Sequence, residues 1–176
     1  MTRRIVGMVL AAVAVSAVAG CGETTEGSPT TSTSVPQEAL WDPCTEIPDG
    51  ALSEAGLDPT TKDSGIAGVE QTGWKICRWR NKEFSMTVFS TGEKVDYFES
   101  MSGNVEFQDV TVSGRTGRQF RVEGASKDRL CDVVFPVPSQ GVVQLRISSS
   151  PVPDDPVEPC GVLYRVGESI VPLFPK

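Results

Sequence analysis

The side chains with the widest chemical repertoire in this chain are five cysteines, at positions 21, 44, 77, 131 and 160. A thiol can be a nucleophile, a metal ligand, a redox centre or half of a disulfide, and its neighbours decide which. Histidine is absent from all 176 residues. No Cys-His or Ser-His-Asp nucleophile system, no histidine-ligated zinc, copper or non-haem iron and no imidazole switch can be assembled from this chain. The last four cysteines lie at intervals of 33, 54 and 29 residues, whereas zinc ribbons and fingers place theirs in close pairs. Neither Cys-x-x-Cys nor Ser-x-x-Lys occurs. No catalytic residue, metal or cofactor is expected.

The first cysteine stands apart from the others. Arg3 and Arg4 precede an uncharged apolar stretch from Ile5 to about Val15, followed by small residues, the order of a secretory signal. The stretch from Ile5 to Ala19 is alanine-rich and shorter than the roughly 20 strongly apolar residues of a spanning helix. It ends Val18-Ala19-Gly20-Cys21, which resembles the bacterial lipoprotein signal. The resemblance implies cleavage between Gly20 and Cys21, a diacylglyceryl group on the Cys21 thiol and acylation of the new amino group. Two acyl chains suffice for stable attachment without a transmembrane helix. The expected location is the extracytoplasmic face of the cell membrane, with the membrane as partner through Cys21.

Loss of residues 1–20 would remove two arginines and no acid, leaving 14 basic against 23 acidic side chains and a net charge of −9 in place of −7. Such a surface suits neither a nucleic-acid backbone nor direct adhesion to anionic lipid. Residues 22–36 contain eight Ser or Thr and one large aliphatic residue, Val35, so they cannot build a core. Residues 21–40 are read as a lipidated cysteine and a flexible tether spanning about 24 Å. Residues 41–176 are read as one folded domain.

Within that domain the patterning predicts the elements that must hold any site. Pro48 to Gly56 reads as a short helix with Leu52 and Ala55 inward, Gly56 as a left-handed cap and Pro59 as its stop. Residues 73–80 read as a strand covered on both sides, and 84–88 as its hairpin partner after a connection at 80–83. Thr91 is a candidate N-cap for a second helix whose Val95, Phe98 and Met101 recur three apart. Further strands are expected at 107–112, 119–122, 130–137 and 142–147, with residues 113–117 as a turn. Residues 161–171 close the chain as a helix with Val162, Leu163, Val166 and Ile170 on one stripe. The expected fold is α+β: a mainly antiparallel sheet of about six strands with about three flanking helices.

With Cys21 assigned to lipid, Cys44, Cys77, Cys131 and Cys160 form an even set in an exported chain, which favours two disulfides. Of the three pairings, Cys44–Cys77 and Cys131–Cys160 is preferred, because it ties each outer helix to a strand.

Trp41-Asp42-Pro43-Cys44, Ile47-Pro48-Asp49, Ala55 to Pro59, Cys77-Arg78-Trp79, Cys131, Pro159-Cys160 and the closing Pro172-Leu173-Phe174-Pro175 together resemble a family of actinobacterial, especially mycobacterial, lipoproteins. The extracytoplasmic domain of that family has no assigned function. The resemblance implies a cell-envelope location and a disulfide-bearing α+β domain, and it carries no catalytic residues across.

Among the remaining polar residues, Arg78 and Arg80 are candidate ligand contacts, since period two places them on one strand face. Arg115, Arg118 and Arg121 are weighed with them as an anion or glycolipid site, and for all five the favoured reading is pairing with surface acids while their stems cover sheet edges. Asp154-Asp155-Pro156-Val157-Glu158 reads as an acidic loop leading to a helix N-terminus rather than a calcium or glycosidase site. The function expected is a non-catalytic binding or accessory module facing an envelope protein or glycolipid. The alternatives are a lipid or glycolipid carrier, which needs a wide apolar cavity, and a carboxylate-dependent envelope hydrolase, which needs two facing carboxylates.

Overall fold

Period-two alternation is the dominant regularity between residues 74 and 149, and it produces strands there. The computed structural model describes residues 39–124, 127–138, 140–151 and 156–176. Gly20, Cys21 and the tether up to residue 38 lie outside the described residues, as do Asp154 and Asp155, while Leu40, read as the end of the tether, is buried with the core. Seven strands form one sheet: β1 (Asp58–Ser64), β2 (Trp74–Arg80), β3 (Phe84–Thr91), β4 (Asn104–Val112), β5 (Arg115–Val122), β6 (Leu130–Val137) and β7 (Gly141–Ser149). Their order is β1-β2-β3-β7-β6-β5-β4, with every neighbouring pair antiparallel. Two meanders, β1 to β3 and β4 to β7, are thus joined by the pairing of β3 with β7.

Among the described residues the strands number seven rather than about six and the α-helices four rather than about three, the added helix being the four-residue turn Pro43–Glu46, and the fold is mostly sheet. The strand not foreseen is β1, Asp-Pro-Thr-Thr-Lys-Asp-Ser, an edge strand without an apolar face, whose residues alternate only between exposed and half-buried. Hydrophobic periodicity cannot announce such a strand. Two local assignments also change. Thr91 ends β3 instead of capping a helix: its hydroxyl donates to the Gly73 carbonyl, and the helix begins after Lys94. The predicted turn at 113–117 contracts to Ser113 and Gly114, both at positive φ (46° and 74°), the signature of a tight two-residue hairpin. Gly117 then falls inside β5, where an added Cβ would lie 2.6 Å from Val133 and 2.9 Å from Phe135. It is a packing glycine rather than a turn glycine.

One sheet face is covered across its central strands. Cys77, Trp79, Met86, Val88, Val133, Phe135, Val143, Leu145 and Ile147 alternate onto it and are almost wholly buried. The helices on this face are α1 (Pro43–Glu46), α2 (Asp49–Glu54) and α4 (Pro159–Ile170). Asp42 caps α1 by accepting the Cys44 N–H at 2.9 Å. Gly56, at φ 78°, ends α2 as expected, with Leu52 and Ala55 buried beneath it. The stripe Val162, Leu163, Val166 and Ile170 seats α4 on β6 and β7. Near the C-terminus, Phe174 is buried edge-on against both Trp41 and Phe135, at 5.5 and 5.6 Å between ring centroids.

Cys44 lies 2.02 Å from Cys77 and Cys131 2.01 Å from Cys160, sulfur to sulfur, so α1 is tied to β2 and α4 to β6. Closing chains of this length removes unfolded-state entropy worth roughly 3.7 kcal/mol per loop as an upper guide. We expect Cys131→Ser combined with Cys160→Ser to lower stability by about 2–4 kcal/mol in urea unfolding. A variant that unfolds at the wild-type midpoint would show that packing alone holds α4.

Candidate functional site

The opposite sheet face is covered only at one end. Here the β3-to-β4 crossover carries a short helix, α3 (Val95–Ser100), which presses Phe98 onto the sheet. Phe98, Phe120, Val134 and Val142 make a second, smaller core, with Trp74, Val95, Phe107 and Val122 packed against it. Of the anticipated Val95, Phe98 and Met101 stripe, only Phe98 is fully buried. A six-residue helix is too short to bury more. Met101 is 43% exposed, Tyr97 39% and Ile66 56%. These three border a half-open pocket of about 300 Å³, whose deeper lining includes Ile76, Phe98, Phe120 and Gln144.

Its aromatic lining is continuous. Trp74 meets Phe89 and Phe98 edge-on at 6.3 and 6.2 Å, and Phe98 lies 6.1 Å from Phe120. Aromatic contacts of this kind fix ring positions as well as burying area. The rings therefore form a shaped apolar surface instead of a loose patch.

Strand register sets a polar row beside that surface. Asp63, Arg78, Thr87, Arg146, Asp132 and Phe120 are successive cross-strand neighbours from β1 to β5, all on the open face. Within it, Arg146 Nε donates to Asp132 Oδ1 at 2.7 Å, and Gln144 Nε2 donates to the same oxygen. The Arg146 guanidinium also lies over the Phe89 ring, 5.5 Å from its centroid, a favourable cation–π position. Asp132 is wholly buried, and its Oδ2 has no hydrogen-bond partner among the described residues. Burial pushes the Asp132 carboxyl above its ordinary pKa, against the opposing pull of Arg146 and Gln144. The terminal nitrogens of Arg146 make no hydrogen bond or ion pair among the described residues, although the side chain lines the pocket.

Arg78 and Arg80, the two candidate contacts, do share this face, and both are exposed. Residues 73–80 are thus covered on both sides only as far as Ile76. Arg78 stands on the same row as Arg146, two strands away, or about 10 Å. Arg80 stands one row further from α3, beside Ser85 and Ser148, in a second groove of about 530 Å³. The face therefore grades from aromatic at the α3 end to basic and hydroxyl-bearing at the other.

Arg115, Arg118 and Arg121 are engaged by the fold instead. Arg115 donates to the carbonyls of Phe174 and Pro136, Arg118 pairs with Glu99 and Asp109, and Arg121 with Glu158 and the Leu130 carbonyl. Glu158 caps α4 by accepting the N–H groups of Cys160 and Gly161. Asp132, Gln144 and Arg146 escaped the sequence reading. The available signal was three polar side chains at alternate positions of two otherwise apolar strands, but the register that brings them together is not local information.

Among the described residues no group of three or more His, Cys, Asp or Glu is placed to hold a metal ion, and no helix is long and apolar enough to cross a membrane. The sequence model of a family described as a protein of unknown function (DUF3558) matches residues 16–173. The chain belongs to the DUF3558 family. No curated protein and no solved structure matches it. The open face described above is thus a feature of a DUF3558 domain, with its chemistry read from its own residues.

Two stability outcomes follow for this domain. Asp132→Ala leaves the buried Gln144 amide and Arg146 Nε without their acceptor, so unfolding should become easier by roughly 1–3 kcal/mol; an unchanged midpoint would mean the site reorganises freely. Partial burial raises the Glu158 pKa, but the Gly161 and Cys160 N–H groups and Arg121 outweigh it and hold the carboxyl below its ordinary value. A lowered carboxylate pKa stabilises the fold above the unfolded value of about 4.3 and ceases to do so as pH falls through the folded one. Glu158→Gln should therefore cost stability at pH 7 and progressively less below pH 4.3, a convergence that thermal melts across pH will reveal or refute.

Proposed function

We propose that this DUF3558 protein is a non-catalytic binding or accessory module of the cell envelope, lipid-anchored through Cys21 to the extracytoplasmic face of the membrane. The observation that carries the binding role is the half-open aromatic pocket, rimmed by exposed Ile66, Tyr97 and Met101 and bordered by Arg146. Ligand sites are typically concave and mainly apolar, with a few fixed polar groups, and isolated exposed apolar side chains would not cluster around one cavity by default. The family match starts at residue 16, so the Val18-Ala19-Gly20-Cys21 stretch falls inside it. The two disulfide-distance pairs agree with an oxidising compartment.

A carrier of lipid or glycolipid is the second reading, since the same pocket is apolar. At about 300 Å³ it lies at the lower limit of ligand pockets, which suits one small group better than a whole two-chain lipid. The hydrolase reading gains nothing from the one carboxylate beside the pocket, because both donors to Asp132 converge on a single oxygen and its other oxygen is buried.

Two measurements test the proposal. Cells given an alkyne-tagged palmitate should label the wild-type chain, and Cys21→Ser should lose the label and leave the membrane fraction; a labelled or fully membrane-retained variant removes the anchor. For the pocket, the neutral fluorophore N-phenyl-1-naphthylamine should bind the full chain, and Met101→Lys, at an exposed position, should weaken binding about tenfold, near 1.4 kcal/mol. Equal binding by both proteins would sink the pocket as a ligand site.

A further inference from the structure

The open face holds one charged group whose position is fixed and whose donors are left over. Arg146 is held at Nε by Asp132, at 2.7 Å, and from below by the Phe89 ring. Its remaining edge, the Nη1 and Nη2 pair, has no partner among the described residues, yet the side chain lines the aromatic pocket. Two other polar side chains of the pocket are engaged: Gln144 donates to Asp132, and Asn104 donates to the Phe98 carbonyl at 2.9 Å. The pocket thus combines an apolar body with one immobilised cationic fork.

We infer that the pocket binds a free single-chain amphiphile with a carboxylate head, its apolar part against Trp74, Phe98 and Phe120 and its head on the outer edge of Arg146. This rests on the pocket being a ligand site. The two coplanar nitrogens of a guanidinium edge match the two oxygens of a carboxylate, and a stem already held at Nε and against a ring loses little freedom on binding. One chain fits because about 300 Å³ cannot enclose two. A second cation, Arg78, stands two strands along the same row and extends the positive end of the face. Recognition has to be local, because the chain as a whole carries −7 and repels anions at long range.

The test is calorimetric titration of the full chain with dodecanoate, dodecanol and dodecyltrimethylammonium, each below its aggregation concentration. Dodecanoate should bind at least tenfold tighter than dodecanol, and the cation more weakly than either. The double variant Asp132→Asn/Arg146→Gln removes both charges while keeping an amide at each position, so it should bring dodecanoate to the dodecanol level and leave dodecanol within about twofold. Should that variant fail to bind dodecanol, Arg146→Lys decides: it keeps the charge but not the paired nitrogens and should lose most of the preference. Equal wild-type affinity for dodecanoate and dodecanol overturns the carboxylate inference and leaves the pocket standing. So does a preference that survives in the double variant, or in Arg146→Lys where that variant decides. Absence of binding by all three overturns both.

Discussion

The ladder between β3 and β7 is the constraint on which the other features of this domain depend. It runs without interruption from Phe84 opposite Ser149 to Thr91 opposite Val142, and it is the seam between two meanders that would otherwise be separate three- and four-stranded sheets. Because side chains alternate with period two, a slip of one residue here would exchange the two faces of half the sheet. Met86, Val88, Leu145 and Ile147 would turn away from the helices, and Thr87, Phe89, Gln144 and Arg146 would be driven into the core. The burial of the first set at or below 1% exposure holds the register. The pocket and its polar row inherit their geometry from that packing.

The two faces are stabilised by different means. On the closed face, three helices and two cystine-distance pairs meet a layer of nearly fully buried apolar side chains. On the open face, a single helix of six residues covers one end and leaves the rest to solvent. This asymmetry is what makes a site possible: side chains on strands backed by a tied core hold their positions more closely than side chains on loops. The aromatic series from Phe89 through Trp74 and Phe98 to Phe120 bridges the boundary between the covered and uncovered parts. Its apolar surface is therefore partly core and partly recognition surface.

Charge is distributed by the same logic. Arg115, Arg118 and Arg121 are tied to carbonyls and carboxylates at the β4–β5 side of the sheet and at the start of α4. Arg78 and Arg80 face solvent, and Arg146 is half committed through its Nε. Composition alone shows an acidic chain and gives no hint that Arg78, Arg80 and Arg146 share one face. Alternation in β2 did place Arg78 and Arg80 on one side. It could not say that the side was open, because that depends on how little of it α3 covers.

The residue order by itself determined much of the local structure. Apolar alternation specified β2, β3, β6 and β7, the 3–4 spacing of Val162, Leu163, Val166 and Ile170 specified α4, and Gly56 and Pro59 bounded α2, since these are effects of neighbours along the chain. The even set of four cysteines and the spacing of the helices around them also pointed to the pairing that the structure shows. What only the tertiary structure decided was long-range. β1 exists because β2 offers it an edge, its own residues having no apolar period; Gly117 is a core residue because Val133 and Phe135 stand opposite. Asp132, Gln144 and Arg146 form a unit because two strands pair in one register. Each of these follows from a contact between distant segments, whose energy depends on mutual burial and not on either segment alone.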